Sequence, residues 1–99
     1  MIRHVVSWKL AATDDAERAE QVATIARGLR SLPAVIPEIL SLEVGANMLN
    51  PGANFDLVLI AEYDDADALA RYQAHPEHKK VASYIHSVVA ERSSVDFEV

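Results

Sequence analysis

The segment Phe55 to Tyr63 constrains this chain more than any other. Its centre, Leu57-Val58-Leu59-Ile60-Ala61, is the longest uninterrupted apolar run. In an extended strand successive side chains point to opposite faces, so such a run leaves neither face polar. A strand of that kind has to be covered on both sides. A chain of 99 residues forms one domain, spanning residues 1–99, and its own helices cover only one face of its sheet. The other face calls for a partner, most simply a second copy packed sheet against sheet.

The rest of the pattern supplies the other layers. Ile2 to Leu10 alternates, with Ile2, His4, Val6, Trp8 and Leu10 on one face and Arg3, Val5, Ser7 and Lys9 on the other. A helix follows, opened by Asp14 with Glu17 as a capping pair, striped by Val22, Ile25, Ala26 and Leu29, and ended by Leu32-Pro33. Ala34 to Glu38 reads as a connector, Ile39 to Ala46 as a second strand, and Asn50-Pro51-Gly52-Ala53 as a turn. After the third strand, Asp64-Asp65 opens a short helix over 66–73, a second helical segment runs over 76–89, and Arg92 to Val99 forms the last strand. The order β-α-β-β-α-β predicts a ferredoxin-like α+β fold, an antiparallel sheet with helices on one face.

Chemistry concentrates in Tyr72-Gln73-Ala74-His75-Pro76-Glu77-His78. His75 precedes a proline and is pushed out of helical geometry, whereas Pro76 suits a first helical turn. His78 shares a helix face with Val81, Ala82 and Ile85, and Tyr72 follows Leu69 by three, so a phenol and an imidazole both aim inward. An imidazole on an apolar face can stay neutral near pH 7, as a proton shuttle requires, and a phenol can donate to an oxygen that gains charge. Each also has a plainer reading. His78 is then a core histidine held by a backbone carbonyl or by Tyr72, and Tyr72 a half-buried aromatic with its hydroxyl at the surface. His4 either joins the same cavity wall or only hydrogen-bonds a neighbouring strand. His75 reads most simply as a cap on the following helix, Trp8 as core or cavity wall, and His86 as solvated. Asp56 either caps a loop or pairs across a dimer.

Several classes are disfavoured. Nine basic against fifteen acidic residues give −6, and no basic patch with interleaved aromatics occurs, so nucleic acid and anionic membrane are not expected partners. No apolar run approaches the length of a bilayer span, and the N-terminus reads as a strand, so a cytoplasmic location is expected. The absence of cysteine removes disulfides, thiolate metal sites and thiol nucleophiles. His75 and His78 have metal-like spacing without an evident third ligand, and the glycines make no phosphate loop, so neither metal nor cofactor is expected.

Ile2-Arg3-His4-Val5-Val6, Glu43-Val44-Gly45, Asp56, Tyr72 with His75-Pro76-Glu77-His78, and Asp96-Phe97-Glu98 together resemble the stress-responsive A/B barrel (Dabb) domain. The resemblance spans essentially the whole chain and implies a dimeric α+β barrel of two ferredoxin-like sheets. One plant branch of that family cyclises a linear polyketide by aldol condensation. The resemblance implies acid–base roles for Tyr72 and His78 and a pocket position for His4; a further pocket histidine of that branch is replaced here by Leu57. The expected site is therefore Tyr72 and His78 as acid–base pair, in a pocket lined by His4, Val6, Trp8, Leu57, Leu59 and His75. Its ligand is expected to be a small, largely apolar organic molecule, and the reaction a cofactor-free cyclisation or isomerisation. The alternative is a non-catalytic, stress-associated binding or structural dimer.

Overall fold

A computed structural model describes residues 1–99. The elements are β1 (Ile2–Leu10), α1 (Asp15–Arg30), β2 (Ser41–Ala46), β3 (Leu57–Tyr63), α2 (Ala66–Ala74), α3 (Pro76–Val88) and β4 (Val89–Glu98), with a short 3-10 turn at Leu32–Ala34. The four strands form one antiparallel sheet in the order β2-β3-β1-β4. This is the ferredoxin-like topology expected from the element order, with its second helix broken in two.

Local chemistry starts and stops the helices. Asp14 caps α1 by accepting the Glu17 N–H at 2.8 Å, and Asp65 caps α2 by accepting the Ala68 N–H at 2.8 Å. His75 is extended, at φ −65° and ψ 136°; it ends α2, and its Nδ1 accepts the Glu77 N–H at 3.1 Å to begin α3. Gly28 lets α1 approach α3 closely, because a Cβ there would meet Val81 at 3.3 Å. In the β2–β3 connection the Ala53 N–H bonds the Asn50 carbonyl at 3.1 Å, and Gly52 takes φ +89°, which only glycine adopts at low cost.

The core lies between the helices and the inward sheet face. Val6, Trp8, Leu10, Leu57, Leu59, Ala61 and Tyr63 come up from β1 and β3 to meet Ile25, Leu29, Tyr72 and Ile85. Ile25, Leu29, Leu32 and Ile36 are almost inaccessible, and burial stabilises each by about 1.5–3 kcal/mol. Leu32 and Ile36 follow α1, and Ile36 lies in the stretch Ala34 to Glu38 expected as a connector, so that connector contributes to the core. The opposite sheet face carries Val5 between Ile60 and Val95, with Val58 and Phe97 nearby. None of these is fully covered, and Val95 and Phe97 are 60% and 41% exposed.

Three strand boundaries differ from expectation. β2 begins at Ser41 rather than Ile39, because Ile39 is held in a turn through the Ile36 carbonyl. β3 begins at Leu57 rather than Phe55. Asp56 leaves the ladder, and its carboxylate accepts the Leu10 N–H at 2.7 Å, so it caps the end of β1 beside Arg18. β4 begins at Val89 rather than Arg92, because nine-residue β1 pairs along its full length; a register shift between Lys9 and Leu10 absorbs one extra residue.

Candidate functional site

A cavity of about 220 Å³ opens between the inward sheet face and the α2–α3 junction. The sheet supplies His4, Val6, Trp8 and Leu59 to its wall, and the helical layer supplies Leu29, Tyr72, His78 and Ile85. Six residues expected in a pocket therefore converge from four elements: His4, Val6, Trp8, Leu59, Tyr72 and His78. His75 and Leu57 do not line this cavity. The His75 ring is occupied in capping α3, and Leu57 lies opposite Trp8 near the sheet end, facing Val22 and Ala26 of α1.

The two readings of His78 turn out to be compatible, because an imidazole has two nitrogens. Its Nδ1 lies 3.0 Å from the Gln73 carbonyl, and a carbonyl only accepts, so Nδ1 carries the proton. The lone pair then sits on Nε2, which makes that nitrogen the basic one. Burial is the main cause holding the His78 pKa below the usual imidazole value; the nearby His4 and Arg92 act in the same direction, and the Gln73 bond opposes them. The ring is therefore a neutral base at pH 7. Tyr72 packs on it, with ring centroids 4.5 Å apart.

The Tyr72 hydroxyl is not at the surface. The residue is 1% exposed, and its buried Oη lies near the Tyr63 hydroxyl without making a hydrogen bond of normal geometry to any group of the protein. Burial pushes its pKa up, so the phenol keeps its proton and remains a donor. A buried donor without a partner is costly, and native proteins carry few of them.

Besides apolar wall residues such as Leu29 and Ile85, sequence reasoning missed four ionisable contributors. Tyr63, at the inward end of β3, is completely buried with an equally unpartnered hydroxyl; its ring lies 4.9 Å from Tyr72 and 6.3 Å, edge-on, from His4. Burial, and then the neighbouring Tyr72 phenol, raise its pKa above the usual phenol range. Continuing the alternation Leu57, Leu59, Ala61, Tyr63 would have found it. Asp96 pairs with His4 across the β1–β4 ladder, its carboxylate meeting the His4 Nδ1. That contact makes Nδ1–H the donor and fixes the ring orientation, yet no local signal links residues so far apart in the chain. Arg92 and His86 stand at the rim; His86 is exposed, as its helical phase suggested, and borders the cavity as well. No three His, Cys, Asp or Glu residues converge as a metal cage, and no helix is long and apolar enough to cross a membrane.

The sequence profile of the Stress Responsive A/B Barrel Domain matches residues 2–99. An uncharacterized protein of Streptomyces coelicolor is 35% identical over 80 residues, which is 80% of each chain. A dimeric ferredoxin-like protein of unknown function from Bacteroides fragilis is 31% identical; it superposes with a TM-score of 0.91 over 99% of this chain and 95% of that one. A second dimeric ferredoxin-like protein, from Thermobifida fusca, is 33% identical, with a TM-score of 0.81 over 99% and 90% of the two chains.

Proposed function

This chain belongs to the stress-responsive A/B barrel family, and from that premise we propose that its cavity binds a small, largely apolar carbonyl compound and catalyses proton transfer beside the carbonyl. The observation that carries the reading is the pairing of a proton-bearing but unpartnered Tyr72 hydroxyl with a neutral His78 whose Nδ1 is already engaged. His78 Nε2 takes a proton from the carbon next to the carbonyl, while Tyr72 donates a hydrogen bond to the oxygen that becomes an enolate. The imidazolium then returns its proton, at carbon for an isomerisation or at oxygen after the enolate attacks a second carbonyl of the same molecule. No electrons are gained or lost. The cavity volume lies below the roughly 300–1,000 Å³ typical of sites for drug-sized ligands, so the substrate is of single-ring size. His4, tied to Asp96, is a further polar neighbour on the cavity wall.

The working unit is proposed to be a homodimer in which the Val5, Ile60 and Val95 face packs on its copy. Support comes from the exposed apolar residues on that face and from the dimeric relatives. The site faces the helices, so this packing leaves the cavity mouth open.

Deuterium exchange at the methyl group of acetophenone in D2O, followed by proton NMR, tests the reaction directly. The wild-type protein is expected to accelerate exchange, and Tyr72→Phe and His78→Ala to lose that acceleration while keeping native circular dichroism. Full activity in both variants would overturn the assignment. A wild type that leaves exchange at the buffer rate while still binding ketones would favour a non-catalytic binding dimer.

A further inference from the structure

The chain holds fifteen acidic residues and a net charge of −6, yet no carboxylate lines this cavity. Its ionisable wall consists of His4, His78, His86, Tyr72 and Arg92. Arg92 stands on β4 opposite Trp8. It takes part in none of the chain's ion pairs, and its one side-chain hydrogen bond is donated to the Ser94 hydroxyl at 3.3 Å. A guanidinium has five N–H donors in a planar fork that matches a carboxylate. In a strongly acidic protein, an uncommitted arginine at the rim of an acid-free cavity is a selective feature.

We propose, building on the carbonyl-binding reading above, that the ligand is an oxo-carboxylic acid: Arg92 binds its carboxylate at the mouth while its apolar body sits against Val6, Trp8, Leu59 and Ile85. Charge and geometry favour a carboxylate over a phosphate ester. One guanidinium balances one monoanion, no lysine lines the cavity, and the first turn of α3 is already capped by His75. The occupancy of Arg92 is also coupled to the base. Its positive charge helps to hold the His78 pKa low, so an anion seated on it makes His78 a stronger base when substrate is present.

The test compares 4-oxo-4-phenylbutanoate with its isosteric neutral amide by calorimetry at low salt, on the wild-type protein, Arg92→Gln and Arg92→Lys. Arg92 is exposed on an edge strand, so the variants fold. The acid is expected to bind about tenfold or more tightly than the amide, because a charge-assisted pair outweighs a neutral one. Arg92→Gln should erase that preference, and Arg92→Lys should keep part of it. Equal affinities in the wild type would overturn carboxylate recognition, while acetophenone exchange would still uphold the carbonyl site. A preference that persists in Arg92→Gln overturns the role of Arg92. Binding of neither compound, with no exchange, overturns both readings; tighter binding of phenyl phosphate than of the acid overturns the choice of anion.

Discussion

Tyr72→Phe should stabilise the fold while removing its chemistry. The ring is packed between Tyr63 at 4.9 Å and His78 at 4.5 Å, and phenylalanine keeps both contacts. What disappears is one buried hydroxyl without a protein partner. Leaving such a group unpaired costs about 1–3 kcal/mol, whereas an ordinary hydrogen bond contributes only about 0.5–1.5 kcal/mol net. Deleting it should therefore raise stability by about 1 kcal/mol, and 1 kcal/mol corresponds to about 4–8 °C in Tm for a domain of this size. Urea unfolding at one fixed protein concentration is the assay, because dimerisation makes apparent stability depend on concentration. Tyr72→Ala is the control, expected to lose about 3–5 kcal/mol as the whole ring goes. A loss of 1 kcal/mol or more in Tyr72→Phe would refute the reasoning. The hydroxyl would then be hydrogen-bonded in the free protein, with Tyr63 as the nearest candidate, and would not be reserved for a ligand.

Other consequences are equally direct. Because its folded pKa lies below the 6.5 of the unfolded chain, His78 contributes its full stability above pH 6.5, and that contribution is lost as pH falls through the folded value. Urea midpoints at pH 7.5 and 5.5 should therefore separate less in His78→Gln than in wild type; equal separations would exclude His78 as a source of the pH dependence. His75→Ala removes the α3 cap and should cost about 0.5–2 kcal/mol in the same unfolding assay, with ketone affinity unchanged because His75 does not line the cavity. Val95→Asp places a charge on the exposed apolar sheet face beside Val5 and should yield a folded monomer in sedimentation velocity; an intact dimer would remove the sheet-to-sheet arrangement.

Much of the fold was legible because its decisive signals are local. Alternation in Ile2–Leu10, the caps at Asp14 and Asp65, and the His75-Pro76 break each declare an element without reference to the rest of the chain. The misplaced boundaries lie where long-range pairing decides. Val88-Val89-Ala90 is equally apolar as helix or strand, and only the need of β1 for a full-length partner draws Val89 into β4. Asp56 looked ambiguous for the same reason: the group it serves, the Leu10 N–H, belongs to another strand.

The site divides along the same line. Tyr72 and His78 were legible because a few residues separate them, and the helix break that orients them is written in Pro76. The positions around them were harder to read: the strand order β2-β3-β1-β4 brings Arg92 to the cavity rim and Asp96 behind His4, while Tyr63, which alternation along β3 marks as inward, packs behind Tyr72. In that order β1 is central, so one inward residue, His4, touches chemistry from both sides: the Tyr63 ring across the β1–β3 ladder and the Asp96 carboxylate across the β1–β4 ladder. β4 in turn presents polar residues, Arg92, Ser94, Asp96 and Glu98, on its inward face, as exposed edge strands commonly do. Two of those four residues, Arg92 and Asp96, adjoin the cavity, one at its rim and one behind His4.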